Sequence, residues 1–172
     1  SSFLMQVPHP PGTPFFLILG RFFSLIPFAE NIAFRVNLVS VISSGLTAMF
    51  LYLTAVMLIE NMKGKDYKSL SDSIKTYLAA AIGALSLTFS DTFWFNAVEA
   101  EVYAMATFFI AFVVWMMVLW HSKADEADNE KYLLMIAYLI GLSTGVHLMS
   151  VLAIVPIVMV IMFRKYITDE NS

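Results

Sequence analysis

Cysteine is absent from the 172 residues, which excludes disulfides, thiolate metal sites and a cysteine nucleophile while leaving the compartment open. Charge is scarce as well. Asp, Glu, Lys and Arg make up 13% of the chain, against about 25% in an ordinary globular domain. The sequence holds no phosphate loop, no G-x-G-x-x-G, no H-E-x-x-H and no G-x-S-x-G motif, so none of the nucleotide, zinc-protease or hydrolase mechanisms built on them is indicated. No basic patch with interleaved aromatics exists, which removes nucleic acid as an expected partner. No metal site and no cofactor is indicated by the residues themselves.

What remains is hydrophobic. Apolar residues form 59% of the chain and the mean hydropathy is +0.77, which is the composition of an integral membrane protein. The opening Ser1-Ser2-Phe3-Leu4-Met5 has neither a basic region nor a small-residue cleavage site, so it does not read as a signal peptide. The polar end after Arg164-Lys165 reads as a loop cut short. A portion of a larger membrane protein is therefore expected.

A helix rises about 1.5 Å per residue and needs about 20 apolar residues to cross a hydrocarbon core of about 30 Å. Segments 32–59, 74–89 (extendable by Ser71 to Ser73 and Ser90) and 93–120 meet or approach that length. Segment 132–163 is too long for one upright crossing and is interrupted by Gly141, Gly145, His147 and Pro156. If it forms a hairpin turning at 145–150, eight of the ten Lys and Arg residues share one side, leaving Arg21 and Arg35 opposite. That asymmetry is what the positive-inside rule favours. Residues 14–28 are apolar but short and hold Gly20, Arg21 and Pro27, which suits an interfacial helix. The expected fold is all-α: a polytopic transmembrane bundle of about five spans plus an N-terminal interfacial helix, in a single transmembrane domain over 1–172. Within it, 1–31 is an external loop with the interfacial helix, 32–165 the bundle and 166–172 a polar tail.

This topology gathers three polar loops on the non-cytoplasmic face. The cluster Pro8-His9-Pro10-Pro11-Gly12-Thr13-Pro14 cannot be a helix, because its prolines lock φ and remove donors. His9 there can bond a phosphate or a sugar hydroxyl, or it is simply an interfacial histidine in a stiff loop. In Ser90-Asp91-Thr92-Phe93-Trp94-Phe95-Asn96-Ala97-Val98-Glu99-Ala100-Glu101-Val102-Tyr103, Asn96 and Glu99 match a capping box and the aromatics suit an interfacial belt. Glu101 falls one turn deeper, where ionisable groups are costly and usually face a cavity. His147 follows the small-residue run Gly141-Leu142-Ser143-Thr144-Gly145, whose glycines suit close helix contact more than catalysis. Asn37, Ser40, Ser44, Thr47 and Thr54 recur on one helical face and predict a packed helix interface. Arg21 and Arg35 are expected to snorkel to headgroups or to bind a lipid phosphate.

Taken together, Val7-Pro8-His9-Pro10-Pro11-Gly12-Thr13-Pro14 with Gly20-Arg21, Ala97-Val98-Glu99-Ala100-Glu101-Val102-Tyr103, and Gly141-Leu142-Ser143-Thr144-Gly145-Val146-His147-Leu148 resemble bacterial polytopic proteins grouped with protein O-mannosyltransferase-like enzymes of the GT-C superfamily. The resemblance implies a glycosyltransferase that moves a sugar from a polyprenyl-phosphate donor to protein hydroxyls, with its site facing the periplasm of a bacterial inner membrane. Membrane lipid, the lipid-linked donor and a protein acceptor are the partners it implies. By resemblance, His9, Pro10, Pro11, Gly12, Arg21, Glu101, Tyr103 and His147 line the donor or acceptor cavity. The family's acidic base lies upstream of the proline motif, so the catalytic residue is unassigned and this portion alone is expected to be inactive. Gly145-Val146-His147 departs from the glycine-asparagine-histidine of the pattern. The alternatives are a transporter or flippase segment with a polar intramembrane pathway, and a non-catalytic structural membrane subunit that would tolerate Gln in place of Glu101.

Overall fold

The computed structural model describes residues 1–6, 13–64 and 69–167. After a 3₁₀ turn at Ser2–Leu4 come seven α-helices: α1 (Pro14–Leu25), α2 (Ile32–Lys63), α3 (Leu70–Thr88), α4 (Asp91–Val98), α5 (Val102–Ser122), α6 (Glu130–Thr144) and α7 (Ile154–Met162). No strand occurs among the described residues, and the expected all-α membrane architecture is what the chain adopts.

Local chemistry sets many of the helix ends. Pro14 begins α1, where a missing amide donor costs nothing. The Asn31 side chain caps α2 by accepting from the amides of Ala33 at 2.8 Å and Phe34 at 3.4 Å. Gly64, at φ 64°, closes the same helix in a conformation that other residues resist. Ser69 caps α3 through the Asp72 amide at 3.2 Å, with Asp72 favoured by the positive end of the helix dipole.

The core is built on α5. Val102, Met105, Phe109, Val113, Met116 and Trp120 are buried along it, and Phe50 of α2 stacks on Phe112 with centroids 4.5 Å apart. The expected polar seam of α2 is a packing surface: Ser40, Ser44, Thr47 and Thr54 are all buried. Thr47 and Thr54 return their hydroxyl protons to carbonyls four residues back, at 2.8 and 2.7 Å, so these two enter the interior with their hydrogen bonds kept, whereas Ser44 Oγ and Asn37 Oδ1 of the same face are buried without a partner among the described residues. Outside, large apolar side chains are exposed on many helices, including Ile82, Leu134 and Leu152. A bilayer is the solvent that such a surface requires.

The crossings differ in detail from the sequence expectation. Two helices, Ile32–Lys63 and Val102–Lys123, are long and apolar enough to cross, and a third crossing exists if α3 and α4, bent by 65° at their junction, act as one. Five full spans are therefore not present among the described residues. Segment 93–120 is not one helix: α4 ends at Val98 and the chain is extended at Glu99 and Glu101 before α5 begins. Two carboxylates inside one apolar helix would be expensive in hydrocarbon, and the break takes both out of helix, leaving Glu101 exposed and Glu99 half-buried. The Asn96 and Glu99 capping box is absent for the same reason, since Asn96 lies inside α4 and Glu99 is its C-terminal cap.

Segment 132–163 does reverse direction. Arg164 Nη2 donates to Asp125 Oδ2 at 2.5 Å, which returns the end of α7 to the loop where α6 begins. The turn falls at 145–147, within the expected 145–150, and a 3₁₀ segment at Leu148–Ala153 leads from it into α7; α6 has 15 residues and α7 9. α6 is shorter than the about 20 residues a crossing needs, and of the continuous helical run 148–167 only Ile154–Met162 is α-helical. Pro156, in the first turn of α7, is tolerated at an α-helix start, and upstream of it the chain is 3₁₀ helix over Leu148–Ala153.

Candidate functional site

His9, Pro10, Pro11 and Gly12 lie outside the described residues. The other nominated positions can be placed. Tyr103 and His147 are 44 positions apart in sequence, yet their rings meet at 5.5 Å between centroids, tilted by 47°. Tyr103 sits in the first turn of α5, and His147 just beyond α6, its amide bonded to the Ser143 carbonyl at 3.0 Å. Glu101 is the residue at which α5 starts. Its carbonyl accepts from Ser40 Oγ of α2 at 3.3 Å, and its amide donates to the Glu99 carbonyl at 2.9 Å. The carboxylate is thus exposed at a helix N-terminus, a placement the dipole stabilises, and not one turn inside a span as the sequence suggested.

The N-terminal segment reaches the same end of the bundle. The Phe15 amide donates to the Gly145 carbonyl at 3.0 Å and the Phe15 ring lies 6.1 Å from that of Phe109. These contacts dock the start of α1 against the turn that carries His147. Further along α1, Arg21 Nη1 donates to the Phe3 carbonyl at 2.6 Å, and its guanidinium lies 5.0 Å from the centre of the Phe3 ring. Arg35 donates to the carbonyls of Ala29 and Ser24. Both arginines are therefore held in intramolecular bonds, where the sequence suggested contact with headgroups.

A cleft of about 330 Å³ opens among these elements, lined by Ser2, Phe3, Phe16, Ile32, Val36 and Ala100 among others. Ala100, which separates the two glutamates, and Phe3, on which Arg21 rests, both belong to its lining. Gly20 makes the wall possible: a Cβ there would come within 2.7 Å of Ser2 Oγ. Phe3, Ser2 and Ser40 had no signal in the sequence that tied them to this place. Lys63 and Lys123 lie at the other end, where Asn61 Nδ2 bonds Ser122 Oγ at 3.1 Å and Lys63 Nζ bonds Thr76 Oγ1 at 3.2 Å. Among the described residues, no group of three His, Asp or Glu side chains is placed to share a metal ion.

Comparison with known proteins places this arrangement. The family described as the protein O-mannosyl-transferase TMEM260 N-terminal domain matches residues 1–170. A protein O-mannosyl-transferase tmem260 of Dictyostelium discoideum is 27% identical over 169 residues, covering 91% of this chain and 19% of that protein. A protein O-mannosyl-transferase TMEM260 of Mus musculus is 28% identical over 161 residues, covering 93% of this chain and 21% of its own length. The chain thus spans about a fifth of these relatives. Both organisms are eukaryotes, so the expected bacterial source and bacterial inner membrane find no support in them. No solved structure matches.

Proposed function

The chain belongs to the TMEM260 N-terminal domain family, and from that premise we propose that it forms the amino-terminal membrane part of a glycosyltransferase that mannosylates protein hydroxyls. The donor in this proposal is a polyprenyl-phosphate mannose, and the site faces the non-cytoplasmic side. One observation carries the reading: Tyr103 and His147, distant in sequence, meet at the bundle end that also holds Glu101, away from the basic loops.

A lipid-linked donor presents a phosphodiester at headgroup depth with a sugar beyond it. An imidazole and a guanidinium suit the phosphate, and a carboxylate suits the sugar hydroxyls. His147 and Arg21 hold phosphate oxygens in this scheme, Tyr103 fixes the plane of the imidazole by ring contact, and Glu101 orients the sugar. The acceptor oxygen forms a bond to the anomeric carbon as the bond from that carbon to the phosphate breaks. The acceptor proton passes to a base that remains unassigned, and the negative charge growing on the leaving phosphate is met by the donors around it.

The test uses the full-length protein reconstituted with polyprenyl-phosphate mannose and an acceptor peptide. Glu101→Gln and His147→Ala are each expected to lower transfer tenfold or more, with the donor KM rising in the histidine variant. Unchanged turnover and unchanged donor affinity in both would remove this end of the bundle from the chemistry. A polar intramembrane transport pathway predicts instead that both positions can be labelled alternately from the two sides.

A further inference from the structure

A further cavity lies at the opposite end of the bundle from Glu101 and His147. It measures about 730 Å³ and is walled by Leu58 of α2, Met117 of α5 and Phe163 after α7, with Asn61, His121 and Arg164 at its polar edge. The wall is apolar, and the edge residues are the ones the chain brings to the basic boundary. Asn61 bonds Ser122, Lys123 pairs with Glu126 just beyond, and Arg164 pairs with Asp125. Met62 and Phe163 are exposed, so the cavity is an open groove rather than a sealed void.

We propose that this groove is a structural phospholipid site in the leaflet on the basic side. One acyl chain lies along Leu58, Met117 and Phe163, and the phosphodiester meets Arg164, His121 and Asn61. The volume falls in the range of about 300–1,000 Å³ typical of small-molecule pockets. Each edge residue offers N–H donors to phosphate oxygens. Asp125 accepts from one nitrogen of the Arg164 guanidinium, a group that carries five N–H donors in a fork suited to phosphate. Basic pockets between helices on the cytoplasmic side are where headgroups are bound, and Asn61 and His121 lie two residues before Lys63 and Lys123, at the ends of α2 and α5. The site is separate from the proposed sugar-transfer site and does not depend on it.

The experiment takes the full-length protein in nanodiscs of phosphatidylcholine and phosphatidylserine, with a photoreactive residue at Val118, which also lines the groove. Illumination is expected to yield a phospholipid adduct, and native mass spectrometry a retained phospholipid. The double variant His121→Gln/Arg164→Gln is expected to lower both several-fold. Asp125→Asn, which breaks the ion pair but keeps the guanidinium, is expected to retain at least as much lipid as the parent. Leu58→Trp, which fills the groove without touching its polar edge, is expected to lower retention. Adducts within the polypeptide itself would overturn the proposal and assign the groove to another part of the chain. Equal retention in the double variant, or an Asp125→Asn loss matching it, would equally overturn it, because Arg164 would then serve only to close the hairpin.

Discussion

At Gly20 the backbone of α1 approaches the first residues of the chain so closely that any side chain must displace them. A Cβ would meet Ser2 Oγ at 2.7 Å and Val36 Cγ1 at 3.3 Å. Gly20→Leu is therefore expected to cost about 1–3 kcal/mol by overpacking, read as a lower midpoint of thermal unfolding for the full-length protein in detergent. Gly45 gives the opposite case. It is interior to α2, and a Cβ there would meet nothing within 4 Å, so Gly45→Ala should raise the same midpoint, by about 0.5–1 kcal/mol of backbone entropy. Trp120 is fully buried, and its indole Nε1 donates to Asn129 Oδ1 at 3.2 Å. Asn129→Ala strands that donor and is expected to cost about 1–3 kcal/mol, visible as a shift in tryptophan emission together with a lower unfolding midpoint.

Among the elements, the starts of α1 and α2 were legible because local chemistry dictates them. The segment 14–28 became Pro14–Leu25 and the segment 32–59 became Ile32–Lys63, each beginning where a proline or a capping asparagine says it should. Removing the cap by Asn31→Ala is expected to cost about 1 kcal/mol, detected as faster amide exchange confined to the first turn of α2. The interruption between α4 and α5 was not legible, since apolar residues flank Glu99 and Glu101 on both sides and a capping-box pattern competes with the break. Only the extended backbone at Glu99 and Glu101 reveals that the acids terminate one helix and start another. The hairpin of α6 and α7 stands between these cases: charge placement predicted the reversal, and the Arg164 to Asp125 contact closes it, but α6 has only 15 residues and the returning arm is α-helical only over Ile154–Met162.

For the whole molecule, the consequence is a bundle with two chemically different ends. Tyr103, His147 and Glu101 occupy one, while Lys63, Lys123 and Arg164 mark the other. The chain's own lack of cysteine makes single-cysteine reporters in this region unambiguous once any cysteines elsewhere in the full-length protein are replaced. In sealed microsomes, a membrane-impermeant maleimide is expected to label Lys123→Cys directly and Tyr103→Cys only after permeabilisation, as the basic-side rule requires. Labelling of both from the same side would dissolve the separation on which the sugar-transfer and phospholipid sites both depend.

Composition and local hydrogen bonding settled that this is a helical membrane protein, how its first helices begin and which face of α2 is buried. Those features follow from transfer free energy and from backbone groups a few residues apart, both of which a linear pattern records. Which residues meet across the bundle was decided only in three dimensions. Inside a bilayer, lipid-facing and helix-facing surfaces are almost equally apolar, so no periodicity marks the side that packs. The meeting of Tyr103 with His147, of Arg21 with Phe3 and of Arg164 with Asp125 depends on close packing between elements that are remote along the chain.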